Sequence, residues 1–210
     1  MKENTERKLT KAEEERKKQY LEKKEKMQKE GYEVKELTIG IGFANVMAVV
    51  LGMPFIALFV FLYFTFHEEV EGTFGAGSAL VVLVLFFVLI VIHELIHGTT
   101  WAIFAKEHFK SISFGVMWQY LTPYCCCREV LSKGQYILGA LMPTLILGIL
   151  PCIYAVVFGN AMCLLIGCLL ILGGGGDMTI VLKMLLYHSD KKEKMYLDHP
   201  YECGMVVFEK

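Results

Sequence analysis

Charged side chains are absent from long stretches of this sequence, although the whole chain carries 21 basic and 22 acidic residues. No lysine or arginine occurs between Lys35 and Lys106, and no charged residue of either sign occurs between Lys133 and Asp177. Such segregation of charge from apolar sequence is typical of a protein that crosses a membrane several times. The formal net charge of -1 argues against nucleic acid as a partner, because nucleic-acid binding requires a basic surface.

Polar residues are scarce in four stretches, each about as long as the roughly 20 residues that a helix needs to cross a bilayer. These stretches are approximately 39–66, 79–105, 136–158 and 161–183. They predict an all-α membrane protein with four transmembrane helices. A charged N-terminal cytoplasmic helix, residues 1–36, is expected to precede a membrane domain of residues 37–210, which ends in a cytoplasmic tail, residues 184–210.

The orientation in the membrane follows from the distribution of basic residues. No cleavable signal peptide is expected, because the first 36 residues are strongly charged and the first apolar segment begins only at Ile39. The number of lysines and arginines differs sharply between the polar segments: twelve in 1–38, none in 67–78, four in 106–133 and five in 183–210. By the positive-inside rule, both termini and the middle loop are cytoplasmic, in agreement with an even number of spans. We expect a multi-pass protein of a bacterial cell membrane.

A sustained heptad repeat is missing from residues 1–36, where Leu9, Tyr20, Met27 and Val34 are too few and too irregular to form one. Lysine, arginine and glutamate alternate densely there. This pattern predicts a solvated helix that is stabilised by neighbouring opposite charges, rather than a coiled coil that binds a partner.

A disulfide framework is also not expected from the seven cysteines. Cys125, Cys126 and Cys127 are consecutive in the loop assigned to the cytoplasm, where thiols stay reduced. They supply too few separated thiolates for a zinc site. We interpret them as small residues at the membrane boundary, with acylation as the alternative.

Two histidines and a glutamate lie within the second apolar stretch, in the order His93-Glu94-Leu95-Ile96-His97, directly after fourteen residues without a polar side chain. Positions four apart share one face of a helix, so both imidazoles can bind a zinc ion while Glu94 takes a proton from a zinc-bound water. In the alternative, this polar cluster only forms hydrogen bonds with neighbouring helices. Burial of three ionisable groups in hydrocarbon favours zinc, because their desolvation needs a compensating ion or partner.

A catalytic zinc ion usually has a third protein ligand, and Asp177 is the leading candidate. It is the only acidic residue between Glu129 and Asp190, and it follows four glycines, which predict a break in the fourth helix. His97 and Asp177 are about 13 Å and about 9 Å from the predicted cytoplasmic ends of their helices. The two side chains can therefore meet at a similar depth.

Other assignments compete for Asp177 and for the third ligand position. Asp177 is also a suitable N-cap for a helix that restarts over residues 178–188. His188 and His199 are competing ligands from the cytoplasmic boundary. The acidic residues of the loop that follows the second span are expected to have ordinary exposed roles.

Apolar and polar residues alternate from Ser111 to Tyr124, which is the two-residue period of a strand. We predict a small interfacial strand-like loop there, which either holds an extended substrate by strand addition or rests its aromatic side chains at the headgroups. The apolar residues 205–208 predict another short strand, at the cytoplasmic opening of the site. Tyr120 and His199 are candidates for stabilising the oxyanion, and His199 is alternatively a structural hydrogen-bonding residue.

The motif His93-Glu94-Leu95-Ile96-His97-Gly98, the Gly-Gly-Asp of 175–177 and the tail Asp198-His199-Pro200 with Gly204 resemble a bacterial family of membrane proteins described as putative zincin peptidases. The resemblance runs from about Gly31 to the C-terminus. More distantly, the layout is similar to that of the site-2 proteases, which hold zinc inside the membrane. This resemblance implies His93, His97 and Asp177 as zinc ligands, Glu94 as the catalytic base, and cleavage of peptide bonds in or near the membrane.

The sequence therefore predicts a zinc-dependent membrane endopeptidase in a lipid bilayer, with a membrane protein or peptide as substrate. The main alternative is a non-catalytic membrane protein of the same fold, whose metal or polar cluster serves assembly or partner binding. Glu94 favours the enzyme, since a structural site needs no unliganded carboxylate beside its histidines. A divalent-metal carrier is disfavoured because few polar residues occur along the spans.

Overall fold

The computed structural model describes residues 9–68, 75–118 and 122–210 of the chain. Helices dominate, and five short strands lie among them. The elements in chain order are α1 (Lys11–Lys29), β1 (Glu33–Thr38), α2 (Ile41–Phe66), α3 (Ala76–Phe104), β2 (Ile112–Met117), β3 (Thr122–Cys127), α4 (Lys133–Pro143), α5 (Leu150–Phe158), α6 (Ala161–Gly173), α7 (Gly175–Leu186), β4 (Lys194–Asp198) and β5 (Gly204–Glu209).

Within the described residues, three helices are long and apolar enough to cross a membrane: α2, α3, and the run Lys133–Phe158, in which a π-helical segment joins α4 to α5. Helices α6 and α7 form a pair bent by 46°, which makes a fourth crossing if it is counted as one span. The helices predicted from the first three apolar stretches are therefore present. The break that the four glycines predict is present too, at Gly174.

Two glycines at this break allow α7 to pack closely against its neighbours. A Cβ atom on Gly174 would lie 1.9 Å from the Thr144 hydroxyl oxygen, and one on Gly175 would lie 2.3 Å from the Cα atom of Ala48 in α2. Neither position has room for a side chain. The glycine run therefore bends the helix and also brings the first turn of α7 into the helical bundle.

A three-stranded antiparallel sheet of order β1-β5-β4 joins the two ends of the chain. One face of this sheet packs on the ends of α3 and α4 through Tyr196, Met205 and Val207. The other face, which includes Val206 and Phe208, packs on helix α1. The strand predicted at 205–208 is thus the central strand of a sheet whose other two strands were not predicted.

The N-terminal segment differs from the solvated helix that its charge predicts. Tyr20 and Met27 of α1 are buried against the sheet, because they cover the apolar face that Val206 and Phe208 present. The charged residues of α1 are mostly exposed around this contact. The boundary predicted between residues 36 and 37 falls inside β1, which pairs with β5 along its whole length.

The predicted strand-like loop is an antiparallel hairpin of β2 and β3, with Phe114 opposite Cys125. It packs along α3 at the zinc motif, where a Cβ atom on Gly98 would lie 2.5 Å from the Phe114 ring. Gly98 thus permits the hairpin to approach the motif closely. This contact places β3 beside the functional residues of α3.

Candidate metal centre

Three side chains with metal-binding atoms meet where α3 approaches the first turn of α7. The Nε2 atoms of His93 and His97 are 3.1 Å apart, and they lie 3.2 Å and 3.3 Å, respectively, from Oδ2 of Asp177. Both histidines are buried, and Asp177 is partly buried. Within the described residues, this is the one cluster of three or more histidine, cysteine or acidic side chains that could hold a metal ion.

The spacing and chemistry of these atoms fit zinc. Zinc binds imidazole nitrogen and carboxylate oxygen at about 2.0–2.2 Å in a tetrahedral arrangement, which separates neighbouring ligand atoms by about 3.3 Å. The three separations in the cluster are 3.1, 3.2 and 3.3 Å. Two neutral imidazoles and one carboxylate also leave the fourth position for a water, as in catalytic rather than structural sites.

The tautomer of His97 is set by helix α4. Its Nδ1 atom donates a hydrogen bond of 2.8 Å to the Gly139 carbonyl, so a neutral ring carries its lone pair on Nε2, which faces His93 and Asp177. On its other side, the ring stacks on Trp101 with 5.2 Å between ring centroids and an interplanar angle of 15°. Both contacts restrict the imidazole to one orientation.

Glu94 lies beside the cluster but is not part of it. Its carboxylate lies near the backbone of Cys125 in β3, and both residues line the same cavity. The backbone N–H of Arg128 donates a hydrogen bond to the Ser111 carbonyl, so residues 111 and 128 form a hydrogen-bonded pair of β2 and β3. Because such pairs alternate along an antiparallel ladder, the N–H groups of Cys125 and Cys127 point away from β2. The edge of β3 that carries these N–H groups therefore lies away from β2, on the side of Asp198 and the cavity.

The same strand edge holds a carboxylate, Asp198 of β4. One oxygen accepts from the Cys127 N–H at 2.7 Å, and the other accepts from the Tyr136 hydroxyl at 2.5 Å. Burial raises the pKa of Asp198 to about 6, although these two hydrogen bonds act in the opposite direction. Asp198 thus ties the tail to the hairpin and to α4.

A cavity of about 210 Å³ extends from the metal centre. Its walls come from α3, α4 and α7, from the hairpin, from the loop after β4, and from Glu13 and Arg16 of α1. The cavity therefore joins the membrane helices to the sheet and to α1.

Comparison with known proteins points to the same chemistry. The Putative zincin peptidase family matches residues 86–191, about half of the chain. The chain belongs to this family. No curated protein and no solved structure matches it. The region matched by the zincin peptidase family contains both histidines of the cluster, Glu94 and Asp177.

The competing site residues lie apart from the cluster. His188 is exposed, and its Nδ1 atom contacts the Leu186 carbonyl. His199 lines the cavity, and its Nδ1 atom accepts a hydrogen bond from the Glu202 N–H at 2.9 Å. Tyr120, the other oxyanion candidate, lies outside the described residues. Neither histidine belongs to the group that could hold a metal in this zincin family member.

The N-cap interpretation of Asp177 is wrong. Helix α7 begins at Gly175 with Gly174 as its N-cap residue, so Asp177 lies in the first helical turn, not before it. Its carboxylate is directed to the histidines.

Glu129 also differs from the expected exposed role, because it accepts hydrogen bonds from the N–H groups of Lys106 and Glu107 at 2.9 Å.

Several residues around the centre carried little sequence signal. Trp101, Tyr136 and Gly139 occur in apolar stretches and are typical membrane-helix residues there. Asp198 belongs to a tail motif that resembles the zincin family, without an assigned role. Arg16 is one basic residue in a dense run of charges, where nothing distinguishes it from its neighbours.

Proposed function

We propose that the chain is a zinc-dependent membrane endopeptidase that hydrolyses peptide bonds in or near the bilayer. The observation that carries this proposal is the convergence of His93, His97 and Asp177 on one point, with the carboxylate of Glu94 beside them. The match to the zincin peptidase family supports it. The likeness to site-2 proteases stays a sequence-based prediction.

Each residue has a distinct role in this proposal. His93, His97 and Asp177 would hold zinc, which lowers the pKa of a water ligand and polarises the scissile carbonyl. Glu94 acts as general base, accepts a proton from the attacking water and returns it to the leaving amine. The backbone of Cys125 in β3 lies next to the Glu94 carboxylate.

The main alternative, a non-catalytic protein with a structural metal, explains these residues less well. A structural zinc site is closed by four protein ligands, whereas three ligand side chains converge here. A structural role also gives no function to Glu94 or to the cavity that reaches it. A membrane protein or peptide is the proposed substrate.

Metal analysis and cleavage assays on matched variants test the proposal. Purified protein should contain about one zinc ion per chain, which His93→Ala removes and Glu94→Gln retains. Cleavage of peptides by the zinc-loaded protein in detergent should fall at least a hundredfold in Glu94→Gln. Wild-type protein that binds no zinc, or cleavage that survives in Glu94→Gln, would exclude this mechanism.

A further inference from the structure

One cationic side chain in the cavity has no part in the proposed chemistry. Arg16 of α1 is 9% exposed, although it lies in a helix whose other basic residues are mostly in solvent. Among the described residues that line the cavity, it is the one lysine or arginine. Arginine is almost never buried to this extent without a partner of opposite charge.

The contacts that Arg16 makes with described residues are to neutral groups. Its Nε atom donates to the Pro200 carbonyl at 2.9 Å, and Nη1 donates to the Tyr124 hydroxyl at 2.6 Å. Its guanidinium also lies over the Tyr124 ring, 4.7 Å from the centroid. These contacts fix the side chain in the cavity wall, but among the described residues they pair its positive charge with no carboxylate.

Two acidic side chains that line the same cavity have other partners. Glu13, one turn earlier in α1, accepts from the Thr10 N–H at 2.8 Å and from the Thr10 hydroxyl at 2.9 Å, in the capping box of the helix. Asp198 is held by Tyr136 and by the hairpin. In the part of the chain that the structure describes, no carboxylate is within ion-pair distance of Arg16.

The position of Arg16 relates it to the reacting groups. Tyr124, which Arg16 contacts, directly precedes Cys125, which lies beside Glu94 in the cavity wall. Adjacent residues of a strand are separated by about 3.3 Å along its axis. A substrate that lies along this wall can therefore present one peptide bond to the metal centre and a group a few residues away to Arg16.

We propose that Arg16 binds a carboxylate of the substrate, either an acidic side chain near the scissile bond or the C-terminal carboxylate of the peptide. The guanidinium suits this role because its planar set of N–H donors matches the geometry of a carboxylate. This inference rests on the proposed peptidase function and adds a substrate class to it: peptides with a negative group on one side of the cleaved bond.

A binding experiment on the full-length Glu94→Gln protein tests the inference without turnover. Zinc-loaded protein in detergent is immobilised and exposed to random ten-residue peptide libraries with either Glu or Gln at one fixed position, moved stepwise along the peptide. Each library is made with a free and with an amidated C-terminus. We expect at least one carboxylate-bearing library to be retained about tenfold more than its neutral counterpart, and the pair that shows this difference identifies the source of the carboxylate.

Variants assign the preference to Arg16. Arg16→Gln should remove the preference, and Arg16→Lys should retain part of it, because lysine keeps the charge but not the bidentate geometry. Arg128→Gln is the matched control: Arg128 also ties α1 to the hairpin region through Gln19 and the Lys110 carbonyl, but it does not line this cavity. It should leave the preference unchanged.

The possible failures are distinguishable. Equal retention of all libraries would overturn the inference, and so would a preference that persists in Arg16→Gln. A uniform rise in the retention of every library in Arg16→Gln would also overturn it, because α1 would then block access to the cavity rather than bind the peptide. Cleavage of neutral and acidic libraries at equal rates by protein with intact Glu94 leaves the peptidase function standing without the inference. A carboxylate preference without any cleavage would support carboxylate binding by Arg16 and contradict the peptidase function.

Discussion

Side chains at the metal centre are oriented by backbone groups of neighbouring elements. The Gly139 carbonyl fixes the His97 ring, and the Cys127 N–H fixes Asp198. Backbone donors and acceptors of packed elements move little, so they would hold these side chains in place before the proposed zinc or substrate binds. This preorganisation lets each side chain be tested separately.

Asp177→Ala should lower zinc affinity more than the 10–100-fold that loss of an outer-shell partner typically costs, since it removes a direct ligand. Zinc affinity is measured by competition with a chelator of known affinity. His188→Ala and His199→Ala serve as controls and should bind zinc as wild type does, because neither histidine reaches the cluster. If Asp177→Ala kept full zinc affinity and His199→Ala lost it, His199 would replace Asp177 as the third zinc ligand.

Asp198→Asn should remove a pH dependence of stability. Burial raises the pKa of Asp198 from 3.8 to about 6, so between these values the folded protein keeps a proton that the unfolded chain has lost. The free energy of unfolding of the wild type, relative to that of Asp198→Asn, should therefore decrease between pH about 4 and pH about 6. The decrease should be no more than about 3 kcal/mol, and the difference should stay constant above pH about 6. Thermal melting in detergent at several pH values gives this difference, and parallel curves for the two proteins would contradict it.

Helix α4 links the fold to the metal centre at the scale of elements. It packs against α3, and a Cβ atom on Gly139 would lie 2.0 Å from Nε1 of Trp101, which stacks on His97. The Trp101 N–H also donates to the Tyr136 carbonyl at 3.3 Å. The distance between α3 and α4 therefore determines the orientation of His97.

Gly139→Ala should displace Trp101 and weaken the contact of His97 with the 139 carbonyl. We expect a loss of about 10–100-fold in zinc affinity and about 1–3 kcal/mol in stability. Gly134→Ala is the control in the same helix, because nothing lies within 4 Å of a Cβ atom there. It should bind zinc normally and be neutral or up to about 1 kcal/mol more stable. Equal zinc affinity in both variants would show that α4 does not control the site.

The sequence predicts the elements and residues whose signal is local. Apolar length predicts the helices, glycine content predicts the break at Gly174, and histidine spacing predicts the face of α3 that carries the site. Asp177 could be selected because no other acidic residue occurs near it. Strand β1 could not be predicted, because its charged residues continue the preceding run and its partner β5 lies at the other end of the chain. Backbone contacts such as the Gly139 carbonyl have no sequence signal, since every residue has a carbonyl.

At the scale of the whole molecule, the sheet constrains how the chain crosses the membrane. Strand β1 directly precedes α2, whereas β4 and β5 follow α7, and β1 pairs with β5. Segments that pair in one sheet must lie on the same side of a bilayer, so the number of crossings between them must be even. Three long apolar helices alone do not satisfy this condition. Counting the bent pair of α6 and α7 as a fourth span does.

The expected topology therefore has both termini and the cavity on one side, which the basic residues assign to the cytoplasm. Epitope tags at either terminus should be protected from protease in intact spheroplasts and cleaved after permeabilisation. A tag inserted in residues 67–78, or between Gly159 and Asn160, should be cleaved in intact spheroplasts. Termini on opposite sides would mean an odd number of spans, which is incompatible with pairing of β1 and β5 in one chain. Both termini outside would leave the sheet possible but would expose the metal centre to the opposite compartment, where its substrates would have to be sought.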